Sequence, residues 1–128
     1  MKTATRTAAL AGVTALIATP LAFATMAPAS ADVDRTGTCA GATYELSVDR
    51  ERGGWEVDAD LDNARPGSSW RVALRHDGQV VTSKVHTADA EGEIDLDAWR
   101  RDTAGSDSFV LKVKPVGGTS CSTKLTVG

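Results

Sequence analysis

Two histidines are the residues of this chain best suited to hold a metal ion. His76 immediately precedes Asp77-Gly78, a dipeptide typical of a two-residue hairpin turn, and His86 follows on the returning segment. At ~3.3 Å per residue of extended chain, the two imidazoles would lie roughly 20 Å apart. One ion cannot bridge that distance, so we predict no metal site and interpret both histidines as ordinary surface or rim residues.

A run of acidic residues follows the spacing found at the start of a calcium-binding loop. Asp58, Asp60 and Asp62 alternate along the chain, but the sixth loop position is Asn63 where glycine is expected. The twelfth position is Ser69 where glutamate is expected. The alternation with apolar residues also indicates an extended strand, which cannot wrap around an ion. We therefore predict a solvated acidic face and no calcium site.

No arrangement typical of nucleophilic catalysis is present in the sequence. A Gly-x-Ser-x-Gly elbow is missing, and neither histidine has a recognisable partner pattern. Carboxylates are numerous enough for a glycosidase pair, but a single small domain has no evident deep cleft to hold them. We predict that the protein is not an enzyme and uses no cofactor.

The N-terminus has the features of an export signal. Two basic residues precede a long uncharged stretch rich in alanine, and Ala29 and Ala31 supply the small side chains that signal peptidase requires. Cleavage would leave Asp32 at the new N-terminus. We predict a signal peptide over residues 1–31 and one domain over 32–128. A membrane anchor is the alternative, but the fitting cleavage site favours release, with no membrane attachment afterwards.

The two cysteines of an exported chain of this size predict one disulfide, between Cys39 and Cys121. The loop that it closes spans most of the domain, for which the chain-entropy model gives about 4.5 kcal/mol of stabilisation. A redox-active or metal-binding thiol pair is the alternative. No histidine or further cysteine flanks either residue, so we favour the structural disulfide.

Apolar and polar residues alternate along the whole of the remaining chain, and no long window has a helical period. The alternation predicts seven strands, over residues 44–48, 55–61, 70–75, 79–87, 94–98, 109–113 and 121–127. Residues 99–108 are predicted as a longer corner with room for a helical turn. Gly and Pro clusters separate the strands, as in Pro66-Gly67 and Gly117-Gly118.

Seven short strands at this spacing predict an all-β, antiparallel, immunoglobulin-like sandwich. A five- or six-stranded barrel is the alternative. Cys39 precedes the first predicted strand and Cys121 begins the last, so both fall at one end of a sandwich. Cys39 is out of phase with the apolar residues that follow it, and a β-bulge at Gly41 would restore the phase.

The alternation also predicts that charge is separated between the two sheets. The acidic face comprises nine outward-pointing residues of the first, second and fifth predicted strands: Glu45, Asp49, Glu56, Asp58, Asp60, Asp62, Glu93, Asp95 and Asp97. The basic face comprises five residues of the third, sixth and seventh: Arg71, Arg75, Lys112, Lys114 and Lys124. The basic face suits docking on an anionic polymer. The alternative is that these charges provide solubility and prevent edge-to-edge pairing.

The three tryptophans differ in whether they fall on the apolar positions of the alternating pattern. Trp55 and Trp70 lie in phase with the apolar residues of their strands, which predicts that both belong to the core. Trp99 breaks phase and precedes Arg100-Arg101. We favour a Trp99 that folds back as a lid on the core, and an exposed contact residue is the alternative.

The sequence resembles a group of small, secreted, functionally uncharacterised actinobacterial proteins with an immunoglobulin-like sandwich. The resembling positions are Cys39-Ala40-Gly41, Trp55-Glu56-Val57, Asp62-Asn63, Gly67, Trp70-Arg71-Val72-Ala73-Leu74, Asp77-Gly78, Gly92, Asp102, Gly105-Ser106-Asp107 and Cys121. They span nearly the whole domain but consist of turns, core residues and cysteines. The resemblance implies export from a high-GC Gram-positive cell and supplies no catalytic residue.

Size and charge restrict the remaining hypotheses. A chain of 128 residues with a formal net charge of −3 is neither a multidomain enzyme nor a highly basic nucleic-acid-binding protein. We predict a secreted, non-enzymatic binding module whose partner is an anionic cell-envelope polymer or an extracellular protein. A small secreted inhibitor or ligand carrier is the alternative, supported only by analogy of architecture.

Overall fold

A computed structural model describes residues 33–128. The predicted signal peptide and its cleavage residues Ala29, Ala31 and Asp32 lie outside that range. Within it, no helix is both long and apolar enough to cross a membrane.

The described chain is all-β, with eight strands and no helix between residues 33 and 128. The strands are β1 (Val33–Cys39), β2 (Ala42–Glu51), β3 (Gly54–Asp62), β4 (Ser69–His76), β5 (Gln79–Thr87), β6 (Ile94–Arg101), β7 (Asp107–Pro115) and β8 (Cys121–Val127). They form two antiparallel four-stranded sheets. The first sheet has the order β1-β2-β3-β6 and the second has the order β5-β4-β7-β8.

The core lies between the sheets and follows from the alternation along each strand. In β2, Leu46 and Val48 are fully buried, while the residues between them face outward. Trp55 and Trp70 are buried, as predicted. Each fully buried side chain of this size contributes roughly 1.5–3 kcal/mol through the removal of apolar surface from water. The predicted β-sandwich is therefore confirmed.

The fold has one strand more than the seven predicted. β1 pairs with β2 through a two-residue turn at Ala40 and Gly41, whose φ angles are 49° and 82°. Positive φ at both positions is typical of the type I′ hairpin. The chain reverses at this turn, so Cys39 faces the core without a β-bulge. The predicted bulge at Gly41 is therefore wrong. β1 escaped prediction because its sequence is polar and mostly exposed.

The predicted corner over 99–108 is also too long. β6 continues through Trp99 to Arg101, with Trp99 opposite Glu56 in β3. Residues 102–106 alone form the corner, without a helical turn, and β7 begins at Asp107. β6 is longer than predicted because its pairing with β3 stays in register as far as Arg101, which lies opposite Gly54.

The predicted disulfide is present and joins the two sheets. Cys39 ends β1, an edge of the first sheet, and Cys121 begins β8, an edge of the second, with 5.9 Å between their Cα atoms. The bridge closes this side of the sandwich. The other two edge strands, β6 of the first sheet and β5 of the second, lie on the opposite side of the sandwich from the disulfide.

Candidate functional site

The second sheet brings the five residues of the basic face together on its outer surface. Arg71 in β4 stands directly opposite Lys114 in β7, and Lys112 stands opposite Ala73. Lys124 in β8 and Arg75 in β4 flank the same residue of β7, Val110. All five cations are exposed. Successive rows are about 7 Å apart, since two residues of strand separate them.

No carboxylate in the described part of the chain neutralises this face. The sequences of β4, β5 and β8 contain no acidic residue, and the one in β7, Asp107, is buried in the core. Within residues 33–128, none of the five cations forms an ion pair. The five positive charges therefore repel one another and are free to attract an anion.

A shallow groove runs between these cations. It has a volume of about 160 Å³ and is lined by Arg71, Ala73, Arg75, Ser83, Lys112 and Lys114. Ser83 and Ala73 are cross-strand neighbours, so the small side chains share one row of the sheet. Taller cationic side chains flank that row on both sides. The groove can admit a narrow chain and present cations along its length.

The first sheet bears the opposite charge. Glu45, Asp60 and Asp95 form one cross-strand row of carboxylates, and Asp58 and Asp97 belong to the next. Partial burial raises the pKa of Asp60 to about 6, and the hydrogen bond and charge of Asp95 add to the effect. The carboxylates of the predicted acidic face therefore lie close together on neighbouring strands. Repulsion between like charges on paired strands lowers the stability of the sheet.

Other carboxylates of the acidic face respond in the same direction. Glu51, through a hydrogen bond and its charge, raises the pKa of Glu56. Partial burial, followed by the charge of Asp97, raises the pKa of Asp58. Asp58, Asp60 and Asp62 lie in the extended strand β3. The two sheets therefore give the molecule one negative and one positive face.

His76 lies in the interior, and its predicted position on the surface is wrong. Its side chain is 5% exposed and stacks on Phe109, with ring centroids 4.5 Å apart. Its Nε2 lies 2.7 Å from Oδ1 of Asp107. Continuing the alternation of Trp70, Val72 and Leu74 by one step would have placed it inward. His86 is half-buried opposite Trp70, at the other end of the hairpin, so it lies far from His76.

Asp107 is a fully buried carboxylate that organises this end of the sandwich. Trp55 Nε1 donates to its Oδ2 at 3.1 Å, and Thr103 Oγ1 donates to its Oδ1 at 2.7 Å. The Thr103 amide adds a third donor at 3.2 Å. Burial by itself would raise the pKa of Asp107, but the hydrogen bonds from Thr103, His76 and Trp55 outweigh it and hold the pKa well below its usual range.

Three residues here have the chemistry of metal ligands. Ligand atoms of His76, Asp77 and Asp107 all lie within 4.8 Å of one another. A search for two neighbouring histidines could not find this group, because its other two ligands are carboxylates. The existing contacts compete with a metal, since Asp107 already accepts several hydrogen bonds and Arg100 Nε lies 3.5 Å from His76 Nδ1. A guanidinium beside the imidazole disfavours a second cation.

Trp99 is exposed, so the favoured prediction of a lid on the core is wrong. Its side chain is 44% exposed, and its Nε1 donates to the Glu51 carbonyl at 3.1 Å. The ring rests on the backbone at Gly54, where an added Cβ would come within 2.5 Å of it. This contact requires glycine. One face of the indole is therefore fixed against the sheet and the other faces water.

A pocket, which we call the end pocket, opens where β6 ends. It has a volume of about 370 Å³ and is lined by His76, Asp77, Gln79, Trp99, Arg100, Arg101 and Thr103. These residues come from the β4–β5 hairpin, the end of β6 and the corner before β7. Because these residues come from separate segments of the chain, the spacing of residues in the sequence could not predict the pocket.

Comparison with known proteins adds no assignment. No protein-family model matches the chain, and no curated protein matches it in sequence.

Proposed function

We propose that this protein is a secreted, non-enzymatic binding module that docks on an anionic cell-envelope polymer through the basic face. The observation that supports the proposal is an outer sheet surface with five exposed cations and no carboxylate. The chain as a whole has a net charge of −3, so this face is positive against the trend of the molecule. An even distribution of charge would serve solubility equally well.

The form of the surface favours a polymer over a single small anion. An exposed ion pair contributes only about 0.2–1 kcal/mol, so one contact cannot hold a ligand. The cations are spread over three strands, and a repeating anionic chain can engage several of them at once. Each later contact is then intramolecular, which raises the overall affinity without any deep pocket.

The acidic face gives the docking a direction. A polymer of negative charges is repelled from the first sheet and attracted to the second, so the field of the protein orients the encounter. The surface contacts are also screened by salt, whose Debye length is about 8 Å at physiological ionic strength. Binding should therefore weaken as salt concentration rises.

Export is the other half of the proposal. The signal peptide expected over residues 1–31 would direct the chain out of the cell, and disulfides persist in oxidising compartments. The Cys39–Cys121 bridge is consistent with that destination. The released domain would then meet the envelope polymer from outside.

The alternative of a ligand carrier receives little support. A carrier of this architecture would hold its ligand between the sheets. The space bounded by Ala59, Val72 and Leu111 is too small to admit a water-sized sphere. Side chains fill this part of the described interior, so no ligand fits there.

Co-sedimentation with isolated cell walls, at low and high salt, tests the proposal. We compare the purified protein with the variant Lys112→Glu/Lys114→Glu/Lys124→Glu. The matched control is Arg35→Glu/Arg52→Glu/Arg65→Glu, which changes the net charge equally at three exposed cations outside the basic face. We expect salt-sensitive binding by the protein and the control, and loss of binding in the first variant. Binding by neither protein nor control, or equal loss in both variants, would contradict the proposal.

A further inference from the structure

The outer surfaces of the two sheets have opposite charge and similar dimensions. Each sheet has four antiparallel strands, so each outer surface is about 19 Å wide and roughly 25 Å long. In both sheets, neighbouring strands are about 4.8 Å apart, and successive outward side chains on one strand are about 7 Å apart. The carboxylates of the acidic face and the cations of the basic face therefore lie on grids of the same spacing.

The central carboxylates of the acidic face have no cation beside them. Asp60 stands opposite Asp95, and Asp58 stands opposite Asp97 in the next row. In the part of the chain that the structure describes, no ion pair involves any of these four residues. Arg101 shares this outer surface but lies at the end of β6, four residues beyond Asp97. A positive surface placed over these carboxylates would therefore relieve repulsion that the protein itself leaves in place.

Trp99 adds an apolar contact surface to the same side of the first sheet. It points outward from β6, opposite Glu56 and two residues beyond Asp97. Its ring lies over Gly54, and its Nε1 donates to the Glu51 carbonyl, so the indole lies flat across the sheet and is fixed there. Tryptophan is among the residue types that contribute most to binding at protein interfaces. The acidic face thus has a rigid aromatic group beside its charges.

The basic face also has exposed apolar residues beside its charges. Val80 and Val85 of the edge strand β5 are 55% and 50% exposed. Val80 stands opposite Arg75 and Val85 stands opposite Arg71, so both valines point outward beside the cations of β4. Together with Trp99, they are three of the four large apolar side chains exposed within residues 33–128. The exposed apolar residues therefore concentrate on the two charged surfaces, where a partner could cover them.

A second copy stacked in the same orientation would bring these features together. The edge strands β5 and β6 lie on one side of the sandwich, opposite the disulfide. Displacing a copy along the direction that runs through both sheets places its first sheet over the second sheet of its neighbour. In that arrangement β3 lies over β4, so Asp58 and Asp60 face the strand of Arg71 and Arg75. β6 lies over β5, so Trp99 faces the strand of the exposed valines.

We propose that the protein associates with itself head to tail, with the acidic face and Trp99 of one copy packed on the basic face of the next. The two contacting surfaces differ, so the contact is heterologous and each copy keeps one face open for a further copy. Each copy would bury about 500 Å² at one contact, which is near the lower limit for a specific interface. We therefore expect a weak, transient contact with a dissociation constant of about 0.1 mM.

Self-association does not depend on polymer docking, because the chain itself supplies both surfaces. The two events do share the cations of the basic face, so an anionic polymer would compete with a second copy. Each copy has a net charge of −3, which repels other copies. In about 0.1 M salt the Debye length is about 10 Å, so repulsion between copies whose centres are about 20 Å apart is largely screened. Attraction between charges in contact persists.

Sedimentation equilibrium of the purified protein measures this association. The protein is compared from about 10 μM to about 1 mM, in about 0.1 M and about 1 M NaCl. At the lower salt concentration, the average mass should rise with protein concentration and pass that of a dimer, since a heterologous contact does not close on itself. At the higher salt concentration, where the Debye length is about 3 Å, the protein should stay monomeric.

Two variants that each disable one face make the test specific. They are the lysine variant Lys112→Glu/Lys114→Glu/Lys124→Glu and the aspartate variant Asp58→Asn/Asp60→Asn/Asp97→Asn. Each variant alone should remain monomeric at about 1 mM, well above the expected dissociation constant. An equal mixture should form a one-to-one complex and nothing larger, because each variant keeps one working face. Formation of that complex would also show that both variants are folded.

A matched control excludes an effect of net charge alone. The variant Arg35→Glu/Arg52→Glu/Arg65→Glu changes the net charge as much as the lysine variant does, at exposed cations outside the basic face. It should associate with itself as the unmodified protein does.

Trp99 reports the contact directly. Its indole N–H signal in NMR spectra should move with protein concentration at the lower salt concentration. The signals of Trp55 and Trp70 should not move, because Asp107 and Ser68 hold their N–H groups away from the outer surfaces. Trp99→Ala should weaken the association about fivefold or more, while an unmoved Trp55 signal shows that the fold is intact.

Several results would overturn the proposal. These are a protein that stays monomeric at about 1 mM in the lower salt, a lysine variant that associates as strongly as the unmodified protein, and a mixture of variants that forms no complex. Binding of polylysine to the acidic face of a protein that stays monomeric would assign that face to a cationic partner instead. Cell-wall binding is read separately, because the aspartate variant should lose self-association and still bind cell walls.

Discussion

Replacement of Asp107 by Asn should destabilise the protein strongly although the two side chains are nearly the same size. Asp107 Oδ1 accepts from His76 and Thr103, and Oδ2 accepts from Trp55. An asparagine can place its oxygen at only one of these positions. Its amide group would then face an N–H donor at the other, inside a site that is 0% exposed.

The cost follows from the contacts. A hydrogen bond to a charged group contributes about 1.5–3 kcal/mol, and a buried donor left without a partner costs about 1–3 kcal/mol. These terms overlap, so we expect Asp107→Asn to lower the free energy of unfolding by about 3 kcal/mol. For a domain of this size, that corresponds to a fall in Tm of roughly 15 °C.

Urea unfolding followed by tryptophan fluorescence measures this loss. The control is Asp97→Asn, an exposed aspartate opposite Asp58 on the acidic face, which should leave stability unchanged or raise it slightly. A loss below about 1 kcal/mol in Asp107→Asn would refute the account of this network, because it would place the cost within the range of one neutral hydrogen bond.

The same residue sets a pH dependence with a definite sign. Hydrogen bonding holds the pKa of Asp107 below its unfolded value, which is about 3.9. Its stabilisation is therefore fully present above that pKa and is lost as pH falls toward the lower folded pKa. The difference in stability between the protein and Asp107→Asn should shrink below about pH 4. A difference that is constant down to pH 2 would contradict this assignment.

Three further predictions follow from other contacts. Asp60 has its pKa raised to about 6, so its repulsion is small below about pH 4 and grows as pH rises through 6; Asp60→Asn should add about 0.5–1 kcal/mol at pH 7 and little at pH 4 in urea unfolding. Equal gains at both pH values would contradict that reasoning. Cys39→Ser/Cys121→Ser should lower stability by about 4.5 kcal/mol, measured as a lower urea midpoint, and a loss under about 1 kcal/mol would refute the estimate. Gly54→Ala should displace the Trp99 ring, costing about 1–3 kcal/mol and shifting its indole NMR signal, whereas an unmoved signal would show that the close contact is not limiting.

Seven of the eight strands could be predicted because their inward residues are apolar and their outward residues are polar. β1 lacks this contrast: its interior of Thr, Gly and charged residues is mostly exposed, and only Cys39 at its end is buried. Its place depends on pairing with β2 through Ala40 and Gly41. The sequence gives no period from which that pairing could be inferred.

The charge separation was predictable for the same reason as the strands. Outward positions can be read from alternation, and the assignment of strands to sheets then sets which charges share a face. Arg71 and Lys114 fall opposite one another without any side-chain-specific signal. The basic face therefore needed only the period and the order of strands.

The inward positions of the interior polar residues could be predicted from the sequence, but their contacts and the end pocket could not. His76 and Asp107 continue the inward phase of β4 and β7, so each could have been placed inside from alternation alone. Their mutual contact, at a separation of 31 residues, depends on how the strands pack. Arg100 meets His76, at the end of β4, only because β6 runs on to Arg101, whereas the predicted corner began at residue 99.

The most direct test of the central claim compares two preparations of the same cell walls, one intact and one from which the anionic polymer has been extracted. The protein is mixed with each at low salt, and the bound fraction is measured after sedimentation. Docking through the basic face predicts binding to intact walls and loss of most of that binding after extraction. Equal binding to both preparations would contradict the claim that an anionic polymer is the partner.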